Sequence, residues 1–205
     1  MSSIRRAVAA DLPRIAALAR WVWLDTYASH GVTAAFAAYV EDAFRPETLA
    51  RALAQDPMWV IEGPPDVVPP KPGARTDVKP NPRSRDDDIK AAGLPAAQAL
   101  APAPDLPLQA WAALDSHTEP GRVELTRLYV APTCQGLGFG AALLRHARQA
   151  HSTRSLWLSA WEGNARALTF YRREGATQLG ETWFELDGRR HRNEVLGWPP
   201  LETTT

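Results

Sequence analysis

The chain has 205 residues and a mass of 22.5 kDa, enough for one domain with a sizeable core. Its 23 Lys+Arg balance 23 Asp+Glu, so no global field draws it to nucleic acid or to an anionic membrane, and neither is expected as a partner. One cysteine, Cys134, excludes an internal disulfide framework; no apolar run is long enough to span a bilayer, and the five histidines lack metal-ligand spacing.

The first strand is predicted over Ser2 to Arg6. Asp11 then stands where a helix N-cap would, and Ile15, Leu18, Ala19, Val22 and Trp23 follow at the spacing of an amphipathic helix. Phe36, Tyr39, Val40 and Phe44 mark a second helix, and Pro46 opens a third around Leu49 and Leu53. Met58 to Ile61 reads as a strand. From Gly63 to Asp105 the chain then holds ten of its 18 prolines, no aromatic residue and balanced charge. Such a stretch buries too little apolar surface to offset its ordering entropy. It is read as a disordered insertion, 63–105, within a single domain spanning 1–205; a Pro-rich partner-binding segment is the alternative.

Leu108 to Leu114 gives the next strand, and the insertion stands where a short turn to it would otherwise lie. Val123 to Val130 is a strand, a glycine-rich turn follows, and Leu143, Leu144 and Ala147 mark a helix. Ser155 to Ala160 is another strand. A helix runs from Asn164 to Arg173, with Asn164 as its cap and Gly175 as its stop. Gln178 to Leu186 and His191 to Leu196 flank Asp187-Gly188, a hairpin signal. The order predicts a mixed α/β fold without repeats. The chain opens on no charged-then-apolar leader, which with the lone cysteine fits a reducing, cytoplasmic setting.

The turn reads Gln135-Gly136-Leu137-Gly138-Phe139-Gly140. A Walker loop would need Lys-Ser/Thr after the last glycine, but Ala141-Ala142 stands there. A dinucleotide loop needs other spacing and a later acidic residue; Ala160 stands 20 residues beyond Gly140. What remains is a helix N-terminus with free backbone N–H groups, a cradle suited to a pyrophosphate, or else merely a tight strand-to-helix corner.

Q-x-x-G-x-G after a strand resembles the acyl-CoA pyrophosphate motif of the GCN5-related N-acetyltransferases (GNAT family). Leu125 to Pro132 resembles that family's central strand and its exit. Asn164, Ala167, Phe170, Tyr171 and Gly175 resemble its N-x-x-A-x-x-F-Y-x-x-x-G helix. The likeness is good over Val123 to Trp198 and general in layout before that. Leu156-Trp157-Leu158, then Trp161-Glu162-Gly163-Asn164, with Asp25-Thr26-Tyr27 and Tyr39 to Phe44, are similar to the bacterial spermidine/spermine (polyamine) N-acetyltransferases. The insertion departs from that pattern, as does Ala176, where an aromatic residue is common.

The resemblance implies a central, mostly antiparallel twisted sheet, splayed at the acyl-CoA strand and flanked by helices. It implies acetyl-CoA as co-substrate without a metal, a small-molecule amine as acceptor (a polyamine as the specific guess), and a homodimer as an arrangement often met in the family. Coenzyme contacts fall on Leu128, Tyr129, Val130, Gln135, Gly136, Leu137, Gly138, Phe139, Gly140, Asn164, Tyr171 and Arg173. A primary alkyl amine with pKa near 10.4 is only about 0.04% neutral at pH 7, so a group must take its proton. Glu124, on the central strand at the offset used by the related histone acetyltransferases, is the expected base, directly or through water; a structural glutamate is the alternative. Tyr171 is the expected acid for the departing thiolate, or else a core aromatic beside Phe170. A cysteine acyl-enzyme at Cys134 would need a base partner, and no nearby His is evident. Asp25, Glu41, Asp42 and Glu62 are the carboxylates available to recognise a polyamine. The competing functions are a peptide or protein N-acetyltransferase and, in another class, a non-catalytic acyl-CoA-binding module.

Overall fold

The computed structural model describes residues 3–28, 30–63, 106–117, 119–186 and 188–201. Seven strands form one sheet: β1 (Ser3–Arg6), β2 (Met58–Glu62), β3 (Leu108–Asp115), β4 (Arg122–Val130), β5 (Ser155–Trp161), β6 (Thr177–Leu186) and β7 (Arg189–Trp198), in the order β1-β2-β3-β4-β5-β7-β6. Among the described residues five α-helices flank it: α1 (Leu12–Tyr27), α2 (Ala34–Ala43), α3 (Pro46–Gln55), α4 (Phe139–Ala150) and α5 (Ala165–Arg173). Every element expected from the sequence is present.

Period-two alternation divides the core between the two faces. In β3, Trp111 and Ala113 join Ile15, Ala19, Val22, Trp23 and Phe44 beneath α1 and α2, with Leu49 of α3. Ala110, Ala112 and Leu114 face the other way, onto Leu143, Leu144 and Ala147 of α4 and Leu168 of α5. The apolar stripe expected of α1 is buried throughout. Asp11 does stand at its N-cap, but its side chain makes no cap bond to the helix. It accepts from the Val8 N–H at 2.9 Å and is ion-paired with Arg5 and Arg14, in a network that also holds Glu62. Two guanidiniums outcompete one backbone N–H for a buried carboxylate, and they hold Asp11 well below the usual carboxylate range.

β2 and β3 pair antiparallel, with Glu62 opposite Leu108, and the Gly63 N–H donates to the Pro107 carbonyl at 3.3 Å. The two ends of the Pro-rich segment are thus held side by side; residues 64–105, which make up nearly all of it, lie outside the described residues.

All strand pairings are antiparallel except β4 with β5. That parallel pairing covers only Arg122–Glu124 against Ser155–Trp157. Beyond it β4 continues along β3, while β5 continues along β7. The sheet therefore opens between its two central strands. A bulge opposite Ala113/Leu114 shifts the β4 register between Leu125 and Arg127. Before it Val123 and Leu125 face α4 and α5; after it Leu128 takes that face, and Tyr129 turns toward α1 and α2.

Candidate active site

The opening between β4 and β5 forms a cleft of about 880 Å³. One wall is β4 from Leu125 to Val130, continued by Cys134, Gln135, Gly136 and Gly138 to Ala141. The opposite wall is Leu158 to Ala160 of β5 with Asn164 to Ala167 and Thr169 to Tyr171 of α5, and the C-terminal part of α1 closes one end with Val22 and Asp25 to Tyr27.

Of the residues expected to contact a coenzyme, Leu128, Tyr129, Val130, Gln135, Gly136, Gly138, Phe139, Gly140, Asn164, Tyr171 and Arg173 line this single cleft. Leu137 does not, and its side chain is exposed. Gly138 is the N-cap of α4 with φ +85°, and no side chain caps that helix. A left-handed N-cap without a capping side chain leaves the first N–H groups of α4 facing the cleft, where an anion is favoured. A Cβ added at Gly136 or Gly138 would meet nothing within 4 Å, so the turn is open on its outer side; at Gly140 it would come within 3.3 Å of the Phe170 ring. The turn thus fits a pyrophosphate lying against bare backbone. Gln135 anchors it by donating from Nε2 to the Val130 carbonyl at 3.2 Å.

Asn164 caps α5 as its residue type predicts: its Oδ1 accepts from the Ala167 N–H at 3.1 Å. Gly175 ends the helix with φ +87°. Tyr171 lies between Phe170 and Trp198, with ring centroids 5.2 and 6.2 Å away. Burial pushes its hydroxyl well above the usual tyrosine value, so it keeps its proton across the working pH range. Arg173 lies over the Phe170 ring and pairs with Glu174 at 3.3 Å. Arg172 points away and is ion-paired with Glu194. Cys134 is buried, with Thr133 Oγ1 at 3.8 Å from its sulfur.

Glu124 sits one residue before the first β4 residue of the cleft wall and does not itself line the cleft. It is half-buried; desolvation first, then the charges of Asp115 and Glu119, raise its pKa against the opposing pull of Arg127. A raised carboxylate is a stronger base than a solvated one.

Residues not anticipated as part of the site include Tyr27, Arg127 and Ser159, all of which line the cleft. Tyr27 packs on Trp23 and Trp161, with centroids at 4.9 and 5.6 Å, and its hydroxyl is raised by burial. Of the four carboxylates considered for a polycation, only Asp25 lines the cleft. Glu62 belongs to the Arg5–Asp11–Arg14 network, and Asp42 pairs with Arg45 on the surface. Among the described residues no cluster of His, Cys, Asp or Glu could hold a metal ion, and no helix is long and apolar enough to cross a membrane.

Residues 108–175 match the family model of the acetyltransferase (GNAT) domain. The PaiA N-acetyltransferase of Thermoplasma acidophilum, solved with coenzyme A, superposes with a TM-score of 0.60 over 95% of this chain and 98% of that one, at 17% identity. The fold is that of the GNAT acetyltransferases. YncA of Salmonella typhimurium, solved with its cofactor acetyl-CoA, gives a TM-score of 0.58 over 100% of this chain and 97% of that one, at 16% identity. A curated relative, the uncharacterized N-acetyltransferase in the pepI 3' region of Lactobacillus delbrueckii subsp. lactis, is 31% identical over 87 residues, 41% of this chain. The chain covers 50% of that relative's length. The residues matched by the family model include β4, the glycine turn and α5, which line the cleft.

Proposed function

We propose that the protein is an acetyl-CoA-dependent N-acetyltransferase acting on a primary amine by direct transfer. The observation that carries this reading is the parting of β4 and β5 beyond Glu124 and Trp157, which opens one cleft lined by the glycine turn, by Asn164 and by Tyr171. When bound, acetyl-CoA supplies an activated acetyl group. The C–N bond forms as the C–S bond breaks; the amine gives up a proton and the sulfur gains one.

The chain supplies a group for each of these needs. The uncapped N-terminus of α4 receives the pyrophosphate. Backbone N–H groups near Leu128 and Val130, freed from β5 by the splay, hold the pantetheine amides and polarise the carbonyl under attack. Tyr171, kept protonated by burial, donates to the departing sulfur. Glu124, made more basic by burial, takes the amine's proton. Because Glu124 stands just outside the cleft wall, a water between it and the amine completes that path.

A polyamine acceptor draws support from the local likeness to the spermidine/spermine enzymes. Against it stands the cleft itself, which offers Asp25 alone of the four expected carboxylates. A peptide amine is the other acceptor within the same chemistry. The deciding measurement is thiol release from acetyl-CoA in the presence of an amine panel containing spermidine, spermine, amino acids and short peptides. Amine-dependent release establishes transfer. Tight coenzyme binding without release for any amine would instead mean a non-catalytic acyl-CoA-binding module.

A further inference from the structure

The α1 side of the cleft carries a cation that, among the described residues, is in no ion pair. Arg127 lines the cleft and is only partly exposed. Its guanidinium donates from Nη1 to the Thr126 carbonyl at 2.8 Å, and among the described residues no carboxylate lies within ion-pairing distance of it. Among the described residues Arg20, Arg148 and Arg154 are also partly exposed without an ion-paired carboxylate, but none of these lines the cleft, and the other partly exposed arginines are paired. Arg5 and Arg14 share Asp11 and Glu62, and Arg122 holds Glu119 at 2.6 Å. Glu124 feels the charge of Arg127 but is not bonded to it. A partly exposed guanidinium with most of its five donors unspent presents the planar fork that matches a carboxylate.

The β4 bulge decides what this fork faces. Arg127 shares the face of Tyr129, toward α1 and α2, whereas Leu128 packs on the side of α4, α5 and Tyr171. Arg127 therefore points away from the glycine turn and toward the end of the cleft closed by Asp25, Thr26 and Tyr27. With the glycine turn assigned to the coenzyme, that end is the part of the cleft left for an acceptor. A polycation there would meet Arg127 as a like charge, offset only by Asp25 among the carboxylates of the lining.

We propose that Arg127 binds a carboxylate of the acceptor, so that the acceptor is an amino-acid-like molecule, a primary amine that also carries a carboxylate, and not a polyamine. The inference rests on the acetyl-transfer reading for the fate of the amine, but the carboxylate site can be read by binding alone.

The test uses matched pairs that differ only in the carboxylate: lysine and cadaverine, ornithine and putrescine, phenylalanine and phenethylamine. Each is measured as an acceptor by thiol release, and as a ligand of the coenzyme A-loaded full chain by calorimetry. The carboxylated partner of at least one pair is expected to be favoured by about tenfold to a hundredfold, the range of a charge-assisted hydrogen-bonded pair. In Arg127→Gln that ratio should fall to near one, and in Arg127→Lys, which keeps the charge without the fork, it should be intermediate. Preference in binding that disappears in Arg127→Gln supports the site even if no acetyl transfer is seen, which would sink only the catalytic reading. Equal or better binding of every decarboxylated partner, binding of neither class, or a ratio unchanged in Arg127→Gln each overturns it.

Discussion

Glu124 lies opposite Trp157 on the last rung that β4 and β5 share. One residue later the two strands follow different neighbours, so the candidate base sits at the apex of the opening and not inside it. Glu124→Gln keeps the shape and removes the basic site. Turnover with a confirmed amine should fall by about 10²–10⁴, the usual range for a general base. The deficit should shrink as pH rises and more amine arrives already neutral. In the parent, activity should fall as pH drops through a Glu124 pKa that burial has raised above the ordinary glutamate value. A pH–rate profile unchanged in the variant would assign proton removal to another group.

The same raised pKa has a stability counterpart. A carboxyl whose folded pKa lies above its unfolded value favours folding most when protonated, below the unfolded pKa, and that contribution is lost as pH rises through the folded pKa. Glu124→Gln mimics the protonated form at every pH. Its melting temperature should equal the parent's in acid and exceed it near neutrality. A variant less stable than the parent at pH 7 would mean that the charged carboxylate is held by interactions that outweigh its burial.

Tyr171→Phe removes only a hydroxyl whose ring is already fixed by Phe170 and Trp198. Folding and coenzyme A affinity should survive, while turnover falls by about 10²–10⁴. Because burial holds the hydroxyl protonated, the loss should show no pH dependence of its own below the ordinary tyrosine range. Full activity in this variant would leave Tyr171 as core.

The elements were legible because each carries its own period or punctuation: the α1 stripe, the Asn164 cap, the Gly175 stop. Much of the cleft was legible for the same reason, since the glycine turn and the α5 face are local patterns. What escaped the sequence depends on long-range pairing. Strict alternation from Val123 and Leu125 would send residue 127 toward α4 and α5, and only the bulge against β3 turns Arg127 to the other face. Asp11 reads as a cap because its neighbourhood along the chain is a helix start. Its real partners include Arg5, brought there by the pairing of β1 with β2. Glu62, a candidate for the acceptor, is engaged by that same network.

Gly138→Val tests the cradle. A β-branched residue at φ +85° costs about 1–2 kcal/mol in backbone strain, and its side chain would fill the space left for the pyrophosphate. Gly188→Val supplies the control, since it carries similar strain at φ +67° in the β6–β7 turn, which does not line the cleft. Both variants should lose similar stability, but only Gly138→Val should lose coenzyme A binding in calorimetry. Equal affinity in the two would remove the turn from the binding site.

Asp11→Asn keeps the acceptor for Val8 N–H but removes the buried carboxylate charge that Arg5 and Arg14 share, while both still reach Glu62. Asp11 is 1% exposed, whereas its arginines are about one-third exposed and partly screened by water. The expected loss is therefore about 2–3 kcal/mol in urea unfolding at pH 7, below that of a fully buried pair. The sign with pH is opposite to that of Glu124. A depressed carboxylate stabilises above its unfolded pKa and loses that contribution as pH falls through the folded value. Parent and variant should thus converge in strong acid, and a gap independent of pH would point to lost packing instead of lost charge.

Residues 64–105 are expected to be replaceable, on the geometry of the two strands they join. Gly63 and Pro107 are already joined by a backbone hydrogen bond at 3.3 Å, and Glu62 and Leu108 stand opposite one another in the β2–β3 ladder. A hairpin whose ends are in register needs only a few residues to close, and fewer residues between two fixed strand ends lower the cost of closure. A chain in which 64–105 is replaced by a short Gly/Ser turn is expected to unfold cooperatively, with stability equal to or slightly above the parent's, and to bind coenzyme A with unchanged affinity. Loss of cooperative unfolding would show that the Pro-rich segment packs on the sheet. A shortened chain that binds coenzyme A normally yet has lost amine-dependent turnover would assign 64–105 to the acceptor side of the cleft.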